Sequence, residues 1–423
     1  MTLFTFPAVD EDEHVQWGAQ RKPGTRIRLA ILSTHPIQYH AHWFRALARH
    51  PNLEVNVFYC YQASPSDQAK AGFGVQFDWD VPLLEGYSYG FLKNAARGKS
   101  LEGFFALDTP EIKDIIHNGQ YDAVLINGWH YKSAWQAIWA GWNSGVKVLV
   151  RSDSHLHSPR SIAKKMAKAL LYRRFIPRFD GCLAVGEWSR EYFLHYGARP
   201  ERVFFVPHAV NDDWIAVERR RLEPIRSDLR TQWGLNQQAV VYLFAGKFIE
   251  KKRPMDFVRA ITRAAQHGAS LQGLMVGDGP LRADCEDFVR KHDSPIRFTG
   301  FLNQSQIVEA YVASDLLVLP SDGGETWGLV VNEAMACGRP CIVSNYVGCG
   351  PDLVEIGKTG AIFPLGDVDR LADLIGGLAR DPAKLAFMSE QVPRRIQKYS
   401  TQAAVDGVLQ CLAAITRRSV CNC

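Results

Sequence analysis

Short apolar runs recur along the chain, each followed by a stretch with helical spacing of its apolar positions. Residues 26–33 read as a buried strand, 42–50 as a short helix and 54–59 as a second strand. Further strand-like runs fall at 121–126, 146–150, 181–185 and 202–206, with helix-like segments between most of them. The rhythm restarts after residue 225, with strands expected at 240–245, 272–276, 296–298, 316–319 and 340–343. Between them, residues 254–266, 279–291, 304–314 and 329–337 read as helices. Strands alternating with helices predict mostly parallel sheets covered on both faces. Two such series predict two doubly wound, Rossmann-like α/β domains facing across a cleft, with ligands bound beyond the carboxyl ends of the strands. The expected division is a polar leader at 1–25, a first domain at 26–210, a second at 211–395 and a terminal helix at 396–423 that returns to the first domain. The joint falls in the Arg-rich stretch 208–226.

A chain of 423 residues is also too long for one ordinary core. Its 49 basic and 44 acidic residues leave a net charge of +5. That excess permits an anionic ligand or lipid surface, and no nucleic-acid-binding signature accompanies it. Nine cysteines form no paired CxxC framework, so reduced thiols and a cytoplasmic setting are expected. The first residues are acidic where a signal peptide needs positive charge, and no apolar run is long enough to span a bilayer.

The most informative segment is residues 321–340, SDGGETWGLVVNEAMACGRP. A buried strand feeds a Gly-rich turn, which opens into a helix stopped by Gly338 and Pro340. Such a helix start offers unpaired N–H groups and a positive dipole end, both attractive to a diphosphate. Gly328 lets a ligand approach the backbone. Glu325 precedes the helix, within reach of what sits beside the phosphates. Glu333, about two turns on, can accept from vicinal hydroxyls. Two glutamates alone would equally suit a solvated loop and a helix surface; the turn before them and the stop after them favour a site. Upstream, Gly246-Lys247 and Lys251-Lys252-Arg253-Pro254 follow the first strand of the second domain. Cations there can neutralise a diphosphate leaving group, though a Lys-Lys-Arg run is as often a solvated turn.

These segments resemble glycosyltransferase family 4, whose E-x7-E region matches Glu325 and Glu333. The similarity extends through residues 341–344, 347–354 and 357–364, and covers roughly 240–380. The resemblance implies GT-B architecture, retention of anomeric configuration and a nucleotide diphosphate sugar as co-substrate, with no cofactor and no required metal. It implies transfer to a glycan, lipid-linked or small-molecule acceptor in polysaccharide or glycoconjugate synthesis. Glu325 would contact the donor sugar and Glu333 the ribose. Lys247 and Lys252 stand where the family usually has Arg and Lys, and would act with Glu325 in catalysis. Thr326, Trp327, Gly328 and Leu329 at the helix start, and Gly246, Gly277 and Phe301 at neighbouring strand ends, would complete the donor site. Cys349 and Asp352 stand where most members carry Gly and Glu.

The first domain matches less well. His35 and His40, in the loop after the first strand, can be read as ligand contacts or as ordinary loop residues. Asp153 and His130, after two later strands, are the candidates for acceptor contact, although several members carry a histidine near position 153. His35, His40 and His42 lack an acidic or thiol companion, so no metal site is expected. Asp78-Trp79-Asp80 matches a bare DxD and is read as structural or solvated, as are two other such pairs. Residues 159–178 carry seven basic and no acidic residues, which suits either peripheral contact with anionic membrane or an ordinary connecting helix. Two rival functions keep the architecture: a nucleotide-sugar epimerase, and a non-catalytic nucleotide-sugar-binding protein.

Overall fold

The computed structural model describes residues 26–68, 74–97, 101, 103–157 and 161–416. The leader at 1–25 and the terminal Cys421 and Cys423 lie outside them. The first lobe holds seven parallel strands: β1 (Ile27–Ser33), β2 (Leu53–Tyr59), β3 (Ser88–Phe91), β4 (Ala123–Asn127), β5 (Lys147–Ser152), β6 (Gly181–Ala184) and β7 (Val203–Phe205). Their order is β3-β2-β1-β4-β5-β6-β7. The second lobe holds β8 (Val240–Ala245), β9 (Leu271–Val276), β10 (Ile296–Gly300), β11 (Leu316–Leu319), β12 (Cys341–Ser344) and β13 (Gly360–Phe363), ordered β10-β9-β8-β11-β12-β13. The central strands are almost wholly buried, which is why each reads as a continuous apolar run rather than an alternation.

Both sheets are doubly wound, with the strand order reversing between β1 and β4 and between β8 and β11. A crevice opens at such a reversal, beyond the carboxyl ends of the strands. Two strands escape the sequence pattern. β3 is a short edge strand whose Tyr89 and Phe91 are exposed, so it shows no buried run. β13 lies in the stretch 357–364, which reads only as part of the family-like segment and not as a strand. The helix expected at 42–50 spans Gln38–Arg49, because its polar first turn hides the start.

The chain passes between the lobes twice. The first crossing follows β7, and the helix Asp212–Leu222 already packs in the second-lobe core through Ile215 and Leu222. The second crossing leads into the helix Thr401–Thr416, whose Val405, Val408 and Leu412 pack with β1 and β2 residues in the first-lobe core. Each such side chain contributes roughly 1.5–3 kcal/mol on burial. The crossings touch: the Thr401 amide donates to Asp212 at 2.9 Å and its hydroxyl to the Val210 carbonyl at 3.1 Å. The seven cysteines among the described residues are buried free thiols. No helix among those residues is long and apolar enough to cross a membrane.

Candidate active site

The second-lobe site is assembled from loops at the β8/β11 reversal. Gly277, at φ +129°, lies so close to the Gly246 carbonyl that a Cβ would sit 2.0 Å from its oxygen. The loops after β8 and β9 are thus in backbone contact, and only glycine permits it. They form one wall of a cavity of about 130 Å³ that also takes Lys247, Phe301, Tyr311 and Glu333 from this lobe and Tyr39 and Trp79 from the other. Lys247 is largely buried beside Lys252 and Lys251. Burial first, and those two charges second, push its ammonium down to about 8.

Lys252 donates to the Glu325 carboxylate, and both side chains are mostly shielded from solvent. Burial alone would raise the Glu325 pKa. The charges of Lys252 and Lys251 and the Lys252 hydrogen bond outweigh it, and the carboxyl lies below its ordinary value. The loop carrying Glu325 leans on the lysine loop, with the Asp322 amide donating to the Lys251 carbonyl at 2.9 Å. Gly328 caps the helix Leu329–Ala336 at φ +106°, where a Cβ would sit 2.9 Å from Leu319. Leu329 begins that helix and packs at the core edge.

Glu333 is buried among donors. It accepts from the Tyr311 hydroxyl at 2.7 Å, and from the Tyr39 hydroxyl and the Gln304 amide at 3.3 Å. Burial raises its carboxyl, and these bonds only partly offset the rise. Two glutamates eight residues apart thus sit in opposite surroundings. One is fixed as an anion by lysines; the other is desolvated among neutral donors.

The first lobe supplies a second cavity of about 320 Å³ beyond the ends of β4 and β5. His40, His130, Asp153 and Asn127 line it. Asp153 accepts from the Thr326 hydroxyl at 2.6 Å, joining the lobes next to Glu325. The amide of Asn127 is buried at both its oxygen and its nitrogen, and neither has a partner among the described residues. His40 bonds the Ser33 hydroxyl at 3.4 Å. Burial, then the neighbouring Arg151, hold its imidazole far below the ordinary range, and His208 is held down by the same two causes. Burial also lowers His130. Arg151 is spent on structure: it donates to the Pro207 carbonyl at 2.9 Å and lies over the Trp43 ring.

Several candidates fall elsewhere. The Trp327 indole lines neither cavity. It is buried, donates to Asn332 at 2.8 Å and packs against His208. Its bulk serves the joint between lobes, because the residue beside it, not its own side chain, faces Asp153. His35 also lines neither cavity; it bonds Thr34 at 3.0 Å, and burial pushes its imidazole down to about 4. Tyr39, Tyr311, Gln304 and Asn127 were not singled out from the sequence. Asn127 had a signal, as a polar residue closing an apolar strand; Tyr311 had none inside its helix.

Two family profiles match the chain. "Glycosyl transferase 4-like domain" covers residues 36–209 and "Glycosyl transferases group 1" covers 239–381. The chain belongs to glycosyltransferase family 4. Among its relatives in the family, the alpha-D-kanosaminyltransferase of Streptomyces kanamyceticus is 30% identical over 209 residues, 49% of this chain and 53% of the relative. The D-inositol 3-phosphate glycosyltransferase of Rhodococcus opacus (strain B4) is 30% identical over 234 residues, 53% of this chain and 50% of the relative. The chain therefore spans about half the length of these family 4 relatives. HepE of Anabaena, solved with UDP and glucose, superposes with a TM-score of 0.66 at 17% identity, covering 92% of this chain and 100% of that one. The fold of this family 4 chain is GT-B.

Proposed function

We propose that the chain is a retaining glycosyltransferase that moves a sugar from a nucleotide diphosphate donor to a hydroxyl-bearing acceptor. One observation carries the reading. Lys252 pairs with Glu325 three residues before the Gly328 helix start, Lys247 lines the cavity that holds Glu333, and Asp153, which lines the other cavity with Asn127, accepts from Thr326 beside Glu325.

In this reading the diphosphate displaces Glu325 from Lys252 and is met by Lys252, Lys247 and the amides of the helix start. Its negative charge grows as the sugar–oxygen bond breaks, and fixed cations stabilise that change most. The lysines take the part a divalent cation plays elsewhere, so transfer proceeds without metal or other cofactor. The released Glu325 carboxylate is then placed to hold donor-sugar hydroxyls, and Glu333 takes the ribose hydroxyls. The acceptor enters the first-lobe cavity, and closure of the lobes keeps water from the donor. Attack from the side of the departing phosphate, whose oxygen assists proton removal, would retain the anomeric configuration.

The acceptor end suits a lipid-linked substrate. The helix Ile162–Phe175 exposes Ile162, Met166, Leu170 and Leu171, and carries Lys168 and Tyr172 into the first-lobe cavity. Residues 159–160 of the basic stretch 159–178 lie outside the described residues. With Arg173 and Arg174 near the helix end, this face suits anionic lipid at the cytoplasmic side of a membrane. Met166→Asp/Leu170→Asp should abolish co-sedimentation with phosphatidylglycerol vesicles if it docks there.

The deciding experiment follows donor consumption with and without acceptor. Acceptor-dependent release of nucleoside diphosphate, with retained configuration in the glycoside, is expected. Acceptor-free interconversion of nucleotide sugars would mean an epimerase. Binding with no turnover across an acceptor panel would mean a binding protein.

A further inference from the structure

Residues 74–80 belong to the first lobe, yet they lie across the second. Gly74 stands against the Gly279 backbone, where a Cβ would be 3.3 Å from the Gly279 nitrogen. The Asn303 side chain donates to the Asp78 carbonyl at 2.8 Å, and the Ser305 amide donates to the Asp80 carboxylate at 3.1 and 3.2 Å. The Ser305 hydroxyl donates to the same carboxylate. Between these anchors the Phe77 ring lies 4.4 Å from that of Phe301 and meets Trp79 edge-on at 4.9 Å. Trp79 and Phe301 both line the cavity that contains Glu333.

The Asp-x-Asp carboxylate at position 80 is therefore a fastener, the structural one of the two readings open for that pair. What it fastens is chemically pointed. The cavity takes one aromatic side chain from each lobe, Trp79 from the first and Phe301 from the second, and is lined by Gly246, Gly277 and Leu302 as well. A flat π-system is the ligand such side chains favour. Asn303 grips the strap and also caps the helix Gln304–Ala313 through its carbonyl, bonded by the Gln304 amide at 2.8 Å. Gln304 in turn donates to Glu333. The strap and the carboxylate proposed for the ribose thus share one short chain of contacts.

We infer that Trp79, delivered by the first-lobe strap 74–80, is an aromatic contact for the donor's nucleobase, so that base recognition and lobe closure are one event. The inference rests on the glycosyl-transfer reading above for the identity of the ligand. A ligand held by both lobes binds the approached arrangement better than the parted one, and so shifts the population toward it. The pyrophosphate end, by contrast, is held by second-lobe residues alone.

The test titrates the full chain and its variants with UDP, GDP, ADP and inorganic pyrophosphate by calorimetry. Trp79→Ala should weaken the best-bound nucleoside diphosphate by about ten- to a hundredfold, in line with loss of one base–aromatic stack. Trp79→Phe should cost about threefold or less, and pyrophosphate affinity should not move in either variant. Asp80→Ala, which frees the strap without touching the cavity, should weaken the nucleotide at least about threefold and leave pyrophosphate alone; it decides the matter if Trp79→Ala does not fold. Wild-type nucleotide affinity in Trp79→Ala or Asp80→Ala, or an equal loss for pyrophosphate, overturns the strap's role while the function stands. A wild-type chain that binds none of the nucleotides overturns both.

Discussion

After β11 the second lobe places Glu325 and Gly328; at the end of β4, the corresponding reversal of the other sheet, the first lobe places Asn127 and then His130. The positions correspond and the chemistry does not. The second-lobe loops are ionic, with Lys252 held on Glu325 and Lys247 buried beside the other lysines. The first-lobe cavity mixes fixed charges of both signs, Asp153 with Arg151 and Lys168, with two histidines, His40 and His208, held neutral by burial and an Asn127 amide that has no partner among the described residues. In the proposed reading one crevice takes the donor's diphosphate and the other, of the same topology, takes the acceptor. The difference lies in the residues on the strand ends, not in the sheets beneath them.

The contrast breaks most visibly at the ion pair. Lys252→Ala and Glu325→Ala should each lower kcat/KM for transfer by about 10²-fold or more, since each removes charge from where it develops and strands a buried partner. Near-normal turnover in a folded variant would strip the second lobe of its ionic role. A subtler break uses pH. Lys247 titrates at about 8, so the free protein loses this cation as pH rises through 8. Nucleoside diphosphate affinity should then fall about tenfold between pH 7 and 9. Lys247→Arg should flatten that limb, because a guanidinium stays charged; an alkaline limb unchanged in the variant would assign it to another group.

In the first lobe the expected effects are smaller. Asn127→Ala should raise the acceptor KM by about three- to tenfold, the worth of a hydrogen bond or two, with nucleotide affinity unaltered. A change in nucleotide affinity instead would place Asn127 outside the acceptor cavity's chemistry. The smallest effect belongs to the joint between the lobes. Asp352 accepts from the Glu187 amide at 3.0 Å and from the Tyr399 hydroxyl at 3.1 Å, and burial raises its carboxyl from 3.8 to about 6. The folded state therefore prefers this group protonated. Its contribution is complete below 3.8 and is lost as pH rises through 6. Asp352→Asn keeps the acceptor oxygen without the charge, so its Tm should gain on the wild type by a few degrees between pH 5 and 7. A constant Tm difference would show that the carboxyl does not titrate there.

The two lobes were unequally legible. The alternation of buried strands and helices announced both sheets, because parallel strands covered on both faces are apolar throughout. The glutamate–glycine segment announced its own local structure, since its strand, Gly turn, helix start and helix stop follow one another in sequence. The environment of Glu333 was invisible: Tyr39, Gln304 and Tyr311 come from two lobes and two helices. Trp327 sat inside the motif and still faces the lobe joint, since neighbouring residues in a turn point in different directions. Asp78-Trp79-Asp80 carried no usable pattern, because its meaning lies in Ser305 and Asn303, more than two hundred residues away.

The paired crossings at Val210–Asp212 and Thr401 set what motion remains. A single tether would let one lobe swivel freely about the other. Two neighbouring tethers, stitched by Thr401, define an axle: the lobes can swing like a book about its spine but resist torsion about their long axis. Each opening and shutting would then return Phe77 to Phe301 and Thr326 to Asp153 in the same register, so that the match between the lobes is inherited from the spine rather than found anew each time.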